Sequence, residues 1–226
     1  MRVLALDTST EYCSVALWLD GAVIERCELV GQKHSELLME MLDALLKEAG
    51  FGIKDMNGIA FGMGPGSFTG VRIACGVTQG LAFGASLPVL GVCTLEALAV
   101  ASGKSRVIAA LDARMGEIYH AAYRKQDGSW LTECEPSLCT PQNAPPLSGD
   151  DWFGVGSGFA AYGDALQQRY AGQLQGVDGA AVPQAAAIAD IGAARFAQGR
   201  GVDAAQALPL YLRDKVALKT SEREKG

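Results

Sequence analysis

Residues 3–17, VLALDTSTEYCSVAL, and residues 107–123, VIAALDARMGEIYHAAY, lie on one another when Asp112 is placed over Asp7. Each copy runs an apolar strand into an Asp, turns through polar residues and returns as a second strand, which is the mark of a degenerate internal repeat. The chain therefore divides into two related lobes, residues 1–103 and residues 104–226, and the second is the poorer copy. The second lobe ends in a charged tail, SEREKG, which reads as frayed.

Outward from the first copy, RVLALD, CSVALWL and AVIERCELV are strand-like runs separated by the turn-rich TSTEY and DG segments, a three-stranded meander. Between Lys33 and Ala49, apolar residues recur at helical spacing at Leu37, Leu38, Met41, Leu42, Leu45 and Leu46, and Gly50 is placed to cap the C-terminus. GIAFGMG then leads through a glycine-rich turn into a helix over 69–84, followed by a strand at PVLGV and a helix at TLEALAVAS. The first lobe reads βββαβαβα. In the second lobe, residues 125–150 with Pro136, Pro141, Pro145 and Pro146 read as loop, WFGVGSG as a buried strand entering a turn, and 160–170 and 184–198 as helices. The fold class is α/β: two tandem lobes, each a mixed sheet with flanking helices.

Composition limits the function. The chain of 226 residues has 49% hydrophobic and 19% charged residues, enough to build a packed core. A net charge of -6 opposes autonomous binding to RNA, which needs a basic surface to neutralise phosphates. The opening MRVLALD is too short for a signal h-region, and no apolar run spans a bilayer, so the expected location is cytoplasmic with no membrane contact. Six cysteines without a CxxC pair read as buried free thiols. Two histidines, His34 and His120, form no HxxxH or HExxH pattern, so a metal site is not expected.

Two segments have the composition of anion-binding chemistry. In the first, Asp7 ends a strand and Thr8 and Ser9 follow in the turn, where hydroxyls and backbone N–H groups can face a phosphate or satisfy their own backbone. In the second, Gly66, Ser67 and Thr69 precede a helix with Arg72 in its first turn; Ser67 or Thr69 is the candidate N-cap, and the free N–H groups of the helix are a natural anion site. It lacks the Gly-Lys-Ser/Thr ending of a P-loop, and Ser67 lacks the G-x-S-x-G context of a nucleophile. Gly76, Gly80 and Gly84 then form a stripe on that helix, and each costs about 1 kcal/mol relative to Ala. Such a stripe implies the close approach of another backbone, either the lobe's own sheet or a second chain. His34, Leu37, Leu38, Met41 and Leu45 on the preceding helix, with Arg72, Gly76 and Gly80, make the candidate partner face.

LALDTSTEYCSVAL, HSELL, GPGSFTGVRI, ALDARMGEIY and PLYLR together resemble the TsaB (YeaZ-like) family across nearly the whole chain. The resemblance implies an actin-like, ribonuclease H-like fold and a non-catalytic subunit for threonylcarbamoyl transfer to adenosine 37 of tRNA. It also implies a heterodimer with TsaD, action with the ATPase TsaE, and a homodimer when alone. Relative to TsaD, Leu38 fills the second position of the HxxxH metal motif; relative to actin-like nucleotide sites, the second lobe has Ala113 and Arg114 where the first lobe supplies the hydroxyls of Thr8 and Ser9. No cofactor is then expected on the isolated chain, and ATP or ADP only in the complex. The alternative is an autonomous actin-like kinase or metallo-glycopeptidase with Asp7 and Asp112 bracketing a nucleotide.

Overall fold

The computed structural model describes residues 1–213, so the tail SEREKG lies outside the described residues. Strands β1 (Arg2–Asp7), β2 (Tyr12–Leu19) and β3 (Ala22–Leu29) form the antiparallel meander, with Asp7 opposite Ser14 at the end of the β1–β2 ladder. Helix α1 (His34–Ala49) ends on Gly50, whose φ of 73° is the left-handed cap that glycine adopts without a Cβ penalty. Strand β4 (Gly58–Gly64), helix α2 (Phe68–Ala85), strand β5 (Val89–Cys93) and helix α3 (Thr94–Ala101) follow, and β4 and β5 add in parallel to give the sheet order β3-β2-β1-β4-β5.

The second half repeats the order. Strands β6 (Arg106–Arg114), β7 (Glu117–Gln126), β8 (Ser129–Cys139), β9 (Trp152–Val155) and β10 (Leu174–Asp178) assemble as β10-β9-β6-β7-β8, the same topology read from the other edge. Helices α4 (Ser157–Arg169) and α5 (Ala185–Ala197) complete it. The loop reading of 125–150 is corrected: it contains the 11-residue strand β8. Pro136 cannot donate to a ladder, and β8 tolerates it because it is an edge strand whose register shifts between the His120 and Ala122 pairs, which leaves Glu135 and Pro136 in the irregularity. A short 3₁₀ turn at Pro141–Asn143 stands where the first lobe has α1, so the second copy is βββ-βαβα.

The two lobes exchange helices. Leu95, Leu98 and Ala99 of α3 pack with Val107, Ala109, Leu111 and Ala121 of the second sheet. Helix α5 packs on the first sheet, where Ala185, Ile188, Ala189 and Ala193 meet Val3, Ala5, Ala16 and Ala60. Strands β1–β5 thus make one sheet and β6–β10 the other, while α3 and α5 each pack on the sheet of the opposite half. Small residues allow this: a Cβ at Gly192 would sit 2.7 Å from the Ala60 Cβ. Helices α1 and α2 cover the other face of the first sheet, and α4 the other face of the second.

Helix α5 is capped from a distance. Its own N-cap, Gln184, makes no side-chain bond; instead Ala185 N–H donates to Ser14 Oγ at 2.9 Å and Ala186 N–H donates to Glu25 Oε1 at 2.9 Å. Ser14 Oγ donates to the same Glu25 oxygen at 3.0 Å. A carboxylate on β3 therefore meets the positive end of α5. Glu25→Ala is expected to lower stability by about 1 kcal/mol, a typical capping loss, and to raise amide exchange selectively in α5; unchanged exchange there would remove the cap from the account. Among the described residues no helix is long and apolar enough to cross a membrane.

Candidate functional site

Strand β1 delivers Asp7 to the seam between the glycine-rich segment and α5. Ser9 donates to Asp7 Oδ1 through its N–H (3.0 Å) and its hydroxyl (2.8 Å). Thr8 Oγ1 donates to the Gly70 carbonyl at 2.7 Å, and Ser67 N–H donates to the Ser9 carbonyl at 2.7 Å. Glycine is required at two of these crossings: a Cβ at Gly66 would lie 2.5 Å from the Ser9 carbonyl oxygen, and one at Gly70 would collide with the Thr8 carbonyl. Ser67 is the N-cap of α2, accepting from Gly70 N–H at 3.3 Å, while Thr69 faces outward and is exposed.

The candidate phosphate-loop residues Asp7, Thr8, Ser9, Gly66 and Ser67 are therefore brought together, but Thr69 is not among them. The hydroxyls of Thr8 and Ser9 bond within the chain. Asp7 Oδ2 has no hydrogen-bond partner, and a Cβ at Gly62 would collide with it. Burial pushes the Asp7 carboxyl up to about 6, against the lowering effect of the two Ser9 bonds.

The second lobe repeats the arrangement with different chemistry. A Cβ at Gly156 would lie 2.5 Å from the Ala110 carbonyl oxygen, so here too a glycine turn folds closely against the first strand of its sheet. Asp112 N–H donates to Ser157 Oγ at 3.0 Å. The Asp112 carboxylate accepts from Arg114 N–H (2.8 Å) and Tyr162 OH (3.2 Å) and pairs with the Arg114 guanidinium at 3.1 Å. Among the described residues, no group of three His, Cys, Asp or Glu side chains is placed to hold a metal ion. Burial raises the thiols of Cys13 and Cys139 to about 12 and about 11, far from thiolate character at neutral pH.

The partner face must be redrawn. Leu38, Met41 and Leu45 point into the first lobe's own core beneath α1, with Met41 only 5% exposed, and Leu37 packs against the same cluster. His34 is also buried, with Nε2 3.1 Å from the Tyr12 carbonyl oxygen. The correction has a simple cause: this helix has a single sheet to cover, and its broad apolar face is used for that. Arg72, Gly76 and Gly80 are exposed, and nothing lies within 4 Å of a Cβ placed at Gly76, Gly80 or Gly84, so the stripe does not serve the chain's own sheet. Phe83, 84% exposed, stands beside it, with Phe68 at the other end of α2 and Met39 exposed on α1. Phe83 follows Gly80 by three residues, a helical-neighbour spacing that was available in the sequence.

Beyond α5, residues 207–213 form a strap across both lobes. Cys75 Sγ and Gln79 Nε2 of α2 donate to the Ala207 carbonyl at 2.8 and 2.9 Å, and Leu210 N–H donates to the Met63 carbonyl at 2.7 Å. At the far end Arg213 pairs with Glu117 at 2.7 Å and donates to the Ala113 carbonyl at 3.0 Å.

Two repeated β-sheets with helices exchanged between them, each with a glycine turn folded against the end of its first strand, define an actin-like two-lobe protein. Residues 27–220 match the family model described as TsaD, tRNA N6-adenosine threonylcarbamoyltransferase. The chain is 42% identical to the tRNA threonylcarbamoyladenosine biosynthesis protein TsaB of Escherichia coli K12, covering 97% of each chain. It is 38% identical to TsaB of Haemophilus influenzae, over 97% of this chain and 96% of that one. The solved structure of YeaZ from Pseudomonas aeruginosa superposes with a TM-score of 0.86 at 41% identity, covering 93% of this chain and 99% of that chain. The chain belongs to the TsaB (YeaZ-like) family.

Proposed function

We propose that this chain is a non-catalytic subunit of the cytoplasmic machinery that makes threonylcarbamoyladenosine in tRNA, and that it acts by docking rather than by chemistry. The observation that carries this reading is the interlocked turn: the Thr8 and Ser9 hydroxyls, which would face a phosphate in a working actin-like cleft, bond to Gly70 and Asp7 instead. The names of the relatives supply the pathway.

The docking partner is a TsaD-type subunit, received on the open face of α2. Gly76, Gly80 and Gly84 admit a close helix there, and Phe83 supplies apolar area. With the partner missing, the same face pairs two copies of the chain. A TsaE-type ATPase acts on the assembled complex, ATP or ADP binds only there, and tRNA contacts run through the partner, because the chain carries a net charge of -6. Titrating ATP and magnesium into the isolated chain tests the reading against an autonomous kinase or metallo-glycopeptidase. The expected trace shows no saturable heat; submicromolar binding would overturn it.

A further inference from the structure

We propose that Phe68, Arg72 and Tyr211 form a pre-set guanidinium platform that receives a carboxylate of the docked protein partner, with the strap holding the arginine in place. The inference rests on the docking role given to α2 above. The Arg72 guanidinium carbon lies 3.6 Å from the centroid of the Phe68 ring and 5.7 Å from that of Tyr211, and the two rings are themselves 5.7 Å apart. Arg72 Nε donates to the Tyr211 hydroxyl at 2.7 Å. Stacking sets the plane of the guanidinium and the Nε bond sets its rotation, which leaves the two Nη groups as the outward edge. That edge matches the two oxygens of a carboxylate.

The charge at this point has no carboxylate counterpart among the described residues. Arg26, Arg114, Arg124, Arg195 and Arg213 each pair with a carboxylate, whereas Arg72 pairs with none among the described residues. Phe68 and Tyr211 nevertheless remain 46% and 45% exposed beside it. An immobilised arginine between exposed aromatic rings has the composition of an interface anchor, and its side-chain ordering cost is already met before binding. Its position extends the α2 face, because Arg72, Gly76, Gly80 and Gly84 succeed one another at intervals of four residues on one helix. A single stacked arginine at this end of α2, on a chain of net charge -6, fits a protein carboxylate, since a nucleic-acid backbone takes several cations together. Tyr211 acts here as a positioning residue, reaching Arg72 from a strap anchored on both lobes.

Calorimetric titration of the full-length chain with its TsaD-type partner tests this. Arg72→Ala should weaken binding about 30-fold and Arg72→Lys nearly as much, because an ammonium cannot span both oxygens. Tyr211→Phe keeps the ring and loses the bond to Nε; it should weaken binding about 5-fold, with an unchanged melting temperature and a flatter salt dependence. Wild-type affinity in Arg72→Ala overturns the platform and leaves the docking role standing, whereas a wild-type chain that does not bind overturns both. If Arg72→Ala left partner binding intact but abolished a gel shift of tRNA, the occupant would be a phosphate and the proposal would fall.

Discussion

Gly80→Arg should abolish partner binding, by at least about 100-fold or about 2.7 kcal/mol, while the melting temperature of the isolated chain stays level or rises. Both halves follow from one geometry. Nothing lies within 4 Å of a Cβ at this position, so the new side chain meets no atom of its own chain. Within a helix, replacing Gly also regains about 0.8 kcal/mol of propensity. A second helix seated on the glycine stripe would meet a long charged side chain at the point of closest approach, where burial without a counter-ion is costly. The neighbouring core provides the contrast. Asp at Met41 would place a charge beneath α1 among Leu38, Leu42 and Leu45, and its loss of binding would report unfolding. Differential scanning fluorimetry and a pull-down on Gly80→Arg separate the two cases; retained binding would remove α2 as the docking face.

Asp7→Asn is expected to stabilise the chain at pH 7.5 by about 2 kcal/mol, or roughly 5 °C in melting temperature, and to make it slightly less stable, by under about 1 kcal/mol, at pH 4. Burial raises the Asp7 carboxyl from 3.8 to about 6 in the folded chain. The folded state thus holds this proton more tightly than the unfolded state does. The sign follows directly: the contribution is fully present below pH 3.8, declines as pH rises through about 6, and its loss amounts to about 3 kcal/mol above that. Asn removes the charge and keeps an oxygen to accept from Ser9. Its amide N–H groups lack an acceptor where Oδ2 now stands unpartnered, a cost of about 1 kcal/mol. Thermal melts of both proteins from pH 4 to pH 8 check the prediction. A variant less stable than wild type at pH 7.5 would show that the carboxylate is compensated by something other than Ser9.

The repeat, the meander, the Gly50 cap and a hydroxyl cap at Ser67 or Thr69 were legible because each is a local pattern: an apolar run into an Asp, a glycine after a periodic stretch, a hydroxyl before one. Strand β8 was not, because Pro136 and its polar residues match loop statistics, and only pairing with β7 through an irregular register makes the segment a strand. The exchange of α3 and α5 between lobes was equally hidden, since an alanine-rich helix carries no address for the sheet it will cover. The site divided in the same way. Asp7, Thr8, Ser9 and the glycine turn could be named from composition, yet whether their hydroxyls faced a ligand or the chain depended on the meeting of Thr8 with Gly70, 62 residues apart. On α1, helical spacing identified an apolar face but could not say that the chain's own sheet consumes it. Tyr211 could reach Arg72 only through a strap whose path is set by Ala207 and Leu210 bonding to α2 and β4.

The most direct test of the non-catalytic reading is the rate at which purified TsaD-type and TsaE-type partners, supplied with threonylcarbamoyl-AMP and tRNA, form modified tRNA with no chain, with the wild-type chain and with Asp7→Asn. The account predicts that product requires the chain, that the chain alone forms none, and that Asp7→Asn supports the wild-type rate. Full-rate product without the chain, or loss of product with Asp7→Asn, would contradict it.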